Sequence, residues 1–351
     1  MTNNKTTAIL YALLAAAFYA INMPLSKLLL LRVSPTFMAS LLYFGAGIGI
    51  GMIYILNRQK LAGKEDKLSR EDLPSVIGMI SLDIVAPILL MIGLKSASAA
   101  NASLLNNFEI VATSLIALMV FKEMISRRLW VAIGLITLSS VLLSFEDFSS
   151  FRFSYGSLFI LLAATCWGLE NNLTRRISDK STYQIVTLKG IFSGLGSLIV
   201  ALLLREGFPP IDYAVYALLL GFVAYGLSIF MYVRAQKDLG AAKTSAYYAI
   251  APFVGALLSY LILKEPMGSY YILALMIMLV GSGMVVADTL ILNHSHTHVH
   301  TFVHTHDGST HSHSISHTHD HQHFASAGDH QHKHDVYRGV HTDGPGDHYD
   351  H

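Results

Sequence analysis

The C-terminal region of this chain has residue types and spacing that suit metal binding. All 18 histidines lie between His294 and His351, where the sequence begins HSHTHVHTFVHTHDG. Neutral imidazole is a ligand for zinc, nickel, cobalt and copper, and His-x-His spacing lets a flexible segment gather several imidazoles around one ion. The candidate metal ligands are His294, His296, His298, His300, His304, His306, His317, His319, His321, His323, His330, His332 and His334. We therefore predict that this tail binds a divalent ion such as Zn, Ni or Co.

The same tail is predicted to be disordered. From Asn293 onward His, Ser, Thr, Asp and Gly dominate, and the apolar periodicity of the preceding residues stops. Such a segment cannot bury enough apolar surface to offset the entropy lost on ordering. Three roles stay open for it: a chelator that delivers metal to the rest of the protein, a sensor that gates the protein, or a buffer unconnected to it.

Three carboxylates form a second set of candidates. Asp83, Glu109 and Glu170 each lie well inside a long apolar stretch. A charged side chain deep in a bilayer costs a few kcal/mol or more, so each marks a functional site by default. The full set of candidate solute-binding residues is Asn22, Lys27, Asp83, Asn106, Asn107, Glu109, Trp167, Glu170, Asn171, Tyr247 and Tyr248.

Helical spacing suggests how these carboxylates could act. Residues three apart share a helix face, so Asn106 points the same way as Glu109, and Trp167 the same way as Glu170. We hypothesise that the two glutamates face a central cavity and bind a cationic or zwitterionic solute or a proton. The alternative is architectural: Glu109 or Asp83 would be held in a buried ion pair with Lys27, Lys189 or Lys243.

The composition indicates a membrane protein. Hydrophobic residues make up 53% of the chain and charged residues 13%, about half the usual 25% of charged residues in globular proteins. A formal net charge of +1 argues against a nucleic-acid partner, and the single cysteine, Cys166, excludes an internal disulfide. No arrangement of residues suggests enzyme chemistry, and the residues before the tail call for no cofactor.

Ten apolar runs are long enough to cross a bilayer, which needs about 20 residues per helix. They lie near 7–31, 36–57, 73–93, 98–120, 128–144, 155–177, 182–204, 212–233, 241–263 and 269–292. Fourteen Lys and Arg residues flank one set of ends and five flank the other. Because cytoplasmic loops carry the excess of Lys and Arg, we expect both termini, and so the histidine tail, in the cytoplasm.

The two halves of the helical part resemble each other. LYALLAAAFYAINMPLSK (10–27) aligns with LFILLAATCWGLENNLTR (158–175), and AANASLLNNFEIVATSLIALMVFKE (99–123) aligns with AAKTSAYYAIAPFVGALLSYLILKE (241–265). An odd number of spans per half reverses the orientation of the second half. This inverted repeat is typical of secondary transporters, whose solute site lies between the halves.

These residues resemble a known family. FYAINMPLSK and CWGLENNLTRR in the first helix of each half, with FKE and LKE closing the fourth, are similar to the EamA branch of the drug/metabolite transporter superfamily. The resemblance covers about 7–292. It implies a carrier, in most members an exporter, of small organic metabolites or drugs, and we expect it in the inner (plasma) membrane of a bacterium.

The predicted fold is therefore an all-α integral membrane protein, with a first five-helix repeat at 1–145, a second at 146–292 and a disordered His-rich cytoplasmic tail at 293–351. We predict a secondary-active exporter of a small organic metabolite that works by alternating access between the halves, with the tail as metal-linked regulator. The partners are the solute, the lipid bilayer and divalent ions at the tail. The alternatives are a carrier of a divalent transition metal or metal chelate, and a membrane-anchored metal buffer or sensor.

Overall fold

The structure is a computed structural model. It describes residues 2–61, 66–122, 125–147, 152–177, 180–239, 244, 247–265, 270–306 and 309–324. The chain divides into two units, residues 1–290 and 291–351.

The first unit is helical, as the apolar runs predict. Its helices are α1 Thr2–Ala20, α2 Asn22–Leu29, α3 Pro35–Leu61, α4 Leu73–Ser96, α5 Ala99–Leu105, α6 Phe108–Phe121, α7 Arg127–Ser144, α8 Tyr155–Arg175, α9 Thr182–Leu203, α10 Ile211–Gly221, α11 Ser228–Leu239, α12 Ala251–Leu263 and α13 Tyr271–Leu290. Two short strands, β1 Phe145–Asp147 and β2 Arg152–Phe153, pair antiparallel between α7 and α8. A π-helical segment, Phe222–Leu227, joins α10 to α11.

Eight stretches of the described residues are long and apolar enough to cross a membrane. They are Thr6–Leu29, Pro35–Asn57, Arg70–Ser96, Ala99–Val120, Arg127–Ser144, Thr182–Leu203, Ile211–Ala235 and Tyr271–Asp288. The two other predicted spans, 155–177 and 241–263, are not among these eight. Helix α8 carries a polar C-terminal part, and α12 has only 13 residues. The number of ten spans therefore stays a prediction.

Three of the predicted spans contain a break in the helix. Helix α1 ends just before Ile21, α5 ends just before Asn106, and residues 249–250 form a turn before α12. At the second break, the Asn107 and Glu109 N–H groups bond to carbonyls only three residues back, at 3.0 and 3.1 Å. Non-helical backbone at membrane depth is tolerated where it is buried in protein or lines a cavity, so these breaks indicate where to look for a site.

The principal helix contacts join the two halves of the chain. Helix α3 packs on α9, α4 on α8, α7 on α13, and α1 on α11. The apolar core runs through these contacts and includes the fully buried Leu42, Leu90, Ile136, Ile160 and Met278. The repeats are therefore interleaved within a shared core.

Glycines bring α3 and α9 into backbone contact. A Cβ atom added to Gly190 would lie 2.4 Å from the Cα of Gly47, and one added to Gly47 would lie 2.6 Å from the backbone N of Ile191. Small residues at such spacing let membrane helices approach closely. The packing role predicted for the glycine-rich segments 45–51 and 190–194 matches this contact.

The second unit is a pair of antiparallel strands, β3 Ile291–His306 and β4 Ser309–Phe324. Residues 293–351 were predicted to be disordered, and the strands differ from that prediction. The physical reason is the sequence of these segments: His alternates with Ser, Thr, Val and Ile, and a two-residue alternation that includes β-branched residues fits paired strands. Residues 325–351 lie outside the described residues, and their disorder stays a prediction.

Replacing Gly190 by Ala is expected to destabilise the protein, because the new methyl group would collide with the backbone of α3. The same change at Gly134, where a Cβ atom meets nothing within 4 Å, is expected to be neutral or slightly stabilising, since Ala is favoured over Gly in helices by about 1 kcal/mol. Thermal melting of the two purified variants checks this. Equal melting temperatures would show that the close contact is not a constraint.

Candidate solute-binding site

A cavity of about 770 Å³ lies inside the helical unit. This volume falls within the range of about 300–1,000 Å³ that is usual for small-molecule sites. Its lining comes from both halves: α1, α3, the break between α5 and α6, and α6 from the first, and α8, α9, the π-helical segment, α11, the break before α12, α12 and α13 from the second. The cavity therefore lies between the repeats.

The centre of the charged network is Lys189 on α9. Its Nζ atom lies 3.1 Å from Oδ2 of Asp83 on α4 and 2.9 Å from Oε1 of Glu170 on α8. Asp83 also accepts a hydrogen bond of 2.8 Å from the Tyr43 hydroxyl, and Glu170 accepts one from the Thr174 hydroxyl. One ammonium group is thus shared by two buried carboxylates.

Glu109 has a different environment. It lines the cavity, and its Oε1 accepts a hydrogen bond of 2.5 Å from Nδ2 of Asn171. Among the described residues no Lys, Arg or His nitrogen lies within ion-pair distance of it. The partner of this carboxylate in the structure is an amide.

Tyrosines form a continuous wall on the cavity. The ring centroids of Tyr225 and Tyr19 are 6.0 Å apart, those of Tyr19 and Tyr248 are 6.1 Å apart, and those of Tyr248 and Tyr232 are 5.1 Å apart. We call Tyr19, Tyr225, Tyr232 and Tyr248 the tyrosine wall. Amide groups hold two of its hydroxyls: Asn106 Nδ2 donates to Tyr19 and Asn22 Nδ2 to Tyr225, each at 3.2 Å.

The cavity collects most of the predicted site residues. Its lining includes Asn106, Asn107, Glu109, Trp167, Glu170, Asn171 and Tyr248. Two further predicted residues support the lining from behind: Asn22 bonds Tyr225, and Asp83 bonds Lys189. These residues therefore converge on one cavity, whereas their binding of a solute stays a prediction.

Two predicted residues lie elsewhere. Lys27 donates to the carbonyl oxygens of Leu94 and Ala97, each at 2.7 Å, and lies 4.0 Å from Glu265. Tyr247 is not among the lining residues and is exposed. Neither residue belongs to the lining of this cavity: Lys27 binds the carbonyls at the end of α4, and Tyr248, not its neighbour Tyr247, lines the cavity.

The sequence reasoning missed part of the lining. Tyr19, Tyr225 and Tyr232 were not selected, and Lys189 was considered only as an ion-pair partner. Two signals were available: Lys189 is a lone cation within an apolar run, and Tyr19 aligns with Trp167 in the internal repeat. Tyr225 and Tyr232 carry no comparable signal, since the chain has 17 tyrosines.

Aligned positions of the two halves both reach the cavity but differ in chemistry. Tyr19 aligns with Trp167, Asn106 with Tyr248, and Glu109 with Ala251, and all six residues line the cavity. The repeat thus brings equivalent positions to the same space, while the carboxylate at the third pair is present in the first half alone.

The predicted metal ligands belong to the second unit. Ten of the thirteen fall within β3 and β4, and His330, His332 and His334 lie outside the described residues. Four register partners are histidine on both strands: His294 with His321, His296 with His319, His298 with His317, and His304 with His311. Among the described residues searched for such groups, no set of three or more His, Cys, Asp or Glu is placed to hold a metal ion.

Comparison with known proteins gives the family. Two stretches of the chain, residues 6–145 and 154–287, match the model of the EamA-like transporter family. The chain belongs to this family. The two matched stretches correspond to the two predicted repeats, and the predicted resemblance to the EamA branch is confirmed.

Individual relatives agree with the membership. A protein of Methanothermobacter thermautotrophicus described as an uncharacterized transporter is 28% identical over 284 residues, 76% of this chain and 82% of that protein. The uncharacterized transporter YyaM of Bacillus subtilis is 24% identical over 203 residues, 55% of this chain and 66% of that protein. A crystal structure with 16% identity has a TM-score of 0.59 and covers 80% of this chain and 96% of its own, a likeness in fold alone. This EamA-like protein is thus an integral membrane protein of a transporter family, and membership suggests that it is not an enzyme.

Replacing Lys189 by Met is expected to destabilise this EamA-like protein strongly. The change leaves Asp83 and Glu170 buried without a cation, and breaking a buried ion pair costs about 3–5 kcal/mol. The control is the triple variant Lys189→Met, Asp83→Asn, Glu170→Gln, which removes all three charges and should recover much of the loss. Denaturant titration in detergent micelles measures both. A single variant as stable as the parent would show that the ion pairs do not hold these helices together.

Proposed function

We propose that this protein is a secondary-active exporter of a small organic metabolite, and that the solute binds in the cavity between the two inverted halves. The observation that carries the proposal is the cavity itself, a space of metabolite size lined by acidic, amide and aromatic side chains from both repeats. Family membership supports transport, and the unlike chemistry of the aligned positions supports a specific organic solute.

The ends of the cavity support alternating access. The lining includes Arg175, the last residue of α8, and Thr182, the first residue of α9. These residues mark the end of the bundle that is predicted to face the cytoplasm. A cavity that reaches this end can load solute from the cytoplasm, which supports export.

The other end of the bundle is tied together by polar contacts. Lys27 binds the carbonyls of Leu94 and Ala97, and Glu265 accepts a hydrogen bond of 2.7 Å from the Ala99 backbone N–H. These contacts link α2, and Glu265 just beyond the end of α12, to the connection between α4 and α5. In the proposed cycle they would have to open for solute to leave on that side.

A metal-related function is the second candidate, and the histidine register favours it. Residues directly opposite in antiparallel strands are close neighbours, with Cβ atoms about 4.5–5.5 Å apart. Two successive register pairs, such as His296 with His319 and His298 with His317, contain four histidines, the number of ligands in a tetrahedral zinc site. We propose that the tail is a metal-binding regulator or store, and we rank metal transport second because histidine is confined to the tail.

A flux experiment tests the first proposal. Full-length protein and a 1–292 truncation are reconstituted in liposomes, and flux is measured for a panel of amino acids and other metabolites beside zinc, nickel and cobalt. We expect flux of an organic solute in both forms. Metal flux that survives truncation would reverse the ranking, and the absence of any flux would favour a membrane-anchored buffer or sensor.

A metal titration tests the tail. In the full-length protein, replacing His296, His298, His317 and His319 by Ala should reduce the number of zinc or nickel ions bound at saturation, because it removes two complete register pairs. The matched control changes four register positions that are not histidine, Thr297, Val299, Ser316 and Thr318, and should keep the parent stoichiometry. Equal losses in both variants would contradict metal binding at these register pairs.

A further inference from the structure

We infer that the solute of this cavity is a small organic ammonium ion, bound between Glu109 and the tyrosine wall. The inference rests on the proposed function for its transport role and names the class of solute. It excludes anions and neutral analogues of the same shape as preferred solutes.

The first argument is the balance of charge around the cavity. Asp83, Glu109 and Glu170 are three carboxylates, whereas Lys189 is already shared by Asp83 and Glu170, and Arg175, the other cation of the lining, lies at the end of α8. An anionic solute would have to compete with both carboxylates for Lys189. A cationic solute instead meets Glu109, whose hydrogen-bond partner among the described residues is the Asn171 amide.

The second argument is the aromatic surface. A cation placed over a tyrosine ring within about 6 Å is attracted by the negative face of the ring, and desolvated sites gain more than exposed ones. The tyrosine wall presents rings from α1, the π-helical segment, α11 and the residue preceding the break before α12. Glu109 and all four rings line the same cavity, so the carboxylate and the rings can act on one bound cation.

The third argument comes from buried polar atoms without partners. Asn106 Oδ1, Asn107 Nδ2 and Thr113 Oγ1 are buried and have no hydrogen-bond partner, although their residues line the cavity. Buried polar groups are normally paired. An N–H donor of a bound ammonium ion would satisfy Asn106 Oδ1, which favours a protonated primary amine over a quaternary ammonium ion.

The two tryptophans of the chain allow a direct binding assay. Trp130 on α7 is 47% exposed, whereas Trp167 is 7% exposed and lines the cavity. In full-length protein carrying Trp130→Phe, Trp167 is the sole tryptophan and reports on the cavity. The probes are phenethylamine, phenethyl alcohol and hydrocinnamate, which place an ammonium, a hydroxyl and a carboxylate on similar bodies.

We expect a saturable change in Trp167 fluorescence with phenethylamine. The alcohol and the carboxylate should bind at least about tenfold more weakly, as should phenethylamine itself to Glu109→Gln, because a charged hydrogen bond is lost in each case. Glu71→Gln, which removes an exposed carboxylate outside the cavity, should bind like the parent. Equal binding of the three probes, or an unchanged affinity in Glu109→Gln, would overturn the inference.

A second pair of variants keeps the test decisive if Glu109→Gln does not fold. Tyr248→Phe retains the ring and should retain binding, whereas Tyr248→Leu should weaken it about fivefold or more if a cation lies over the ring. Equal affinity of these two variants would contradict the aromatic contribution. Amine binding without flux in liposomes would defeat the transport proposal and leave this inference standing, and flux of an anionic solute without amine binding would do the reverse.

Discussion

The ion pairs of Lys189 with Asp83 and Glu170 tie three helices of the helical unit together. They connect α9 to α4 and α8, so one ammonium group links a helix of the first repeat to two helices of the second. Three charges can be buried together only if they pair with one another, because a buried charge without a partner is far costlier than a paired one. The positions of α4, α8 and α9 around the cavity therefore depend on one another, whereas Glu109 lines the cavity with the Asn171 amide as its hydrogen-bond partner.

This arrangement shows how an inverted repeat acquires a specific site. The aligned pairs Tyr19 with Trp167 and Asn106 with Tyr248 reach the same cavity from opposite halves, so the repeat supplies the geometry twice. Specificity needs the halves to differ, and they do: Glu109 aligns with Ala251, and Glu170 aligns with Asn22. The two glutamates therefore stand at positions that the partner half fills with neutral residues, so the cavity is chemically asymmetric.

The depth of the site residues could be predicted from the sequence, but their partners could not. A carboxylate inside an apolar run is costly to bury unless it has a polar partner or lines a cavity, so Asp83, Glu109 and Glu170 were recognisable from the sequence. Which of them would bind Lys189 depends on how α4, α8 and α9 pack, and periodicity within one helix does not contain that information. The tyrosine wall was hidden for the same reason, since its rings meet only after α1, α11 and the π-helical segment are placed together. Lys27 lies outside the cavity because its ammonium group binds carbonyls at the end of α4, two helices further along the chain, and the sequence pattern does not reveal that contact.

The breaks in the helices explain why a cavity can persist in so apolar a fold. A continuous apolar helix would fill the space between the halves with apolar side chains, whereas the break at Asn106 and Asn107 places two amide side chains in the lining, and the turn at 249–250 interrupts the corresponding span of the second half. Each break leaves backbone groups that must be satisfied by side chains, shorter-range backbone bonds or a bound molecule.

The glycine contact of α3 with α9 lies in the same unit and excludes even a methyl group between the backbones. A rocking motion that moved these two helices apart would forfeit that packing, so α3 and α9 are better suited to act as a fixed axis than as moving parts. In the alternating access proposed above, the parts left to move are the breaks, the polar contacts of Lys27 and Glu265, and the π-helical segment.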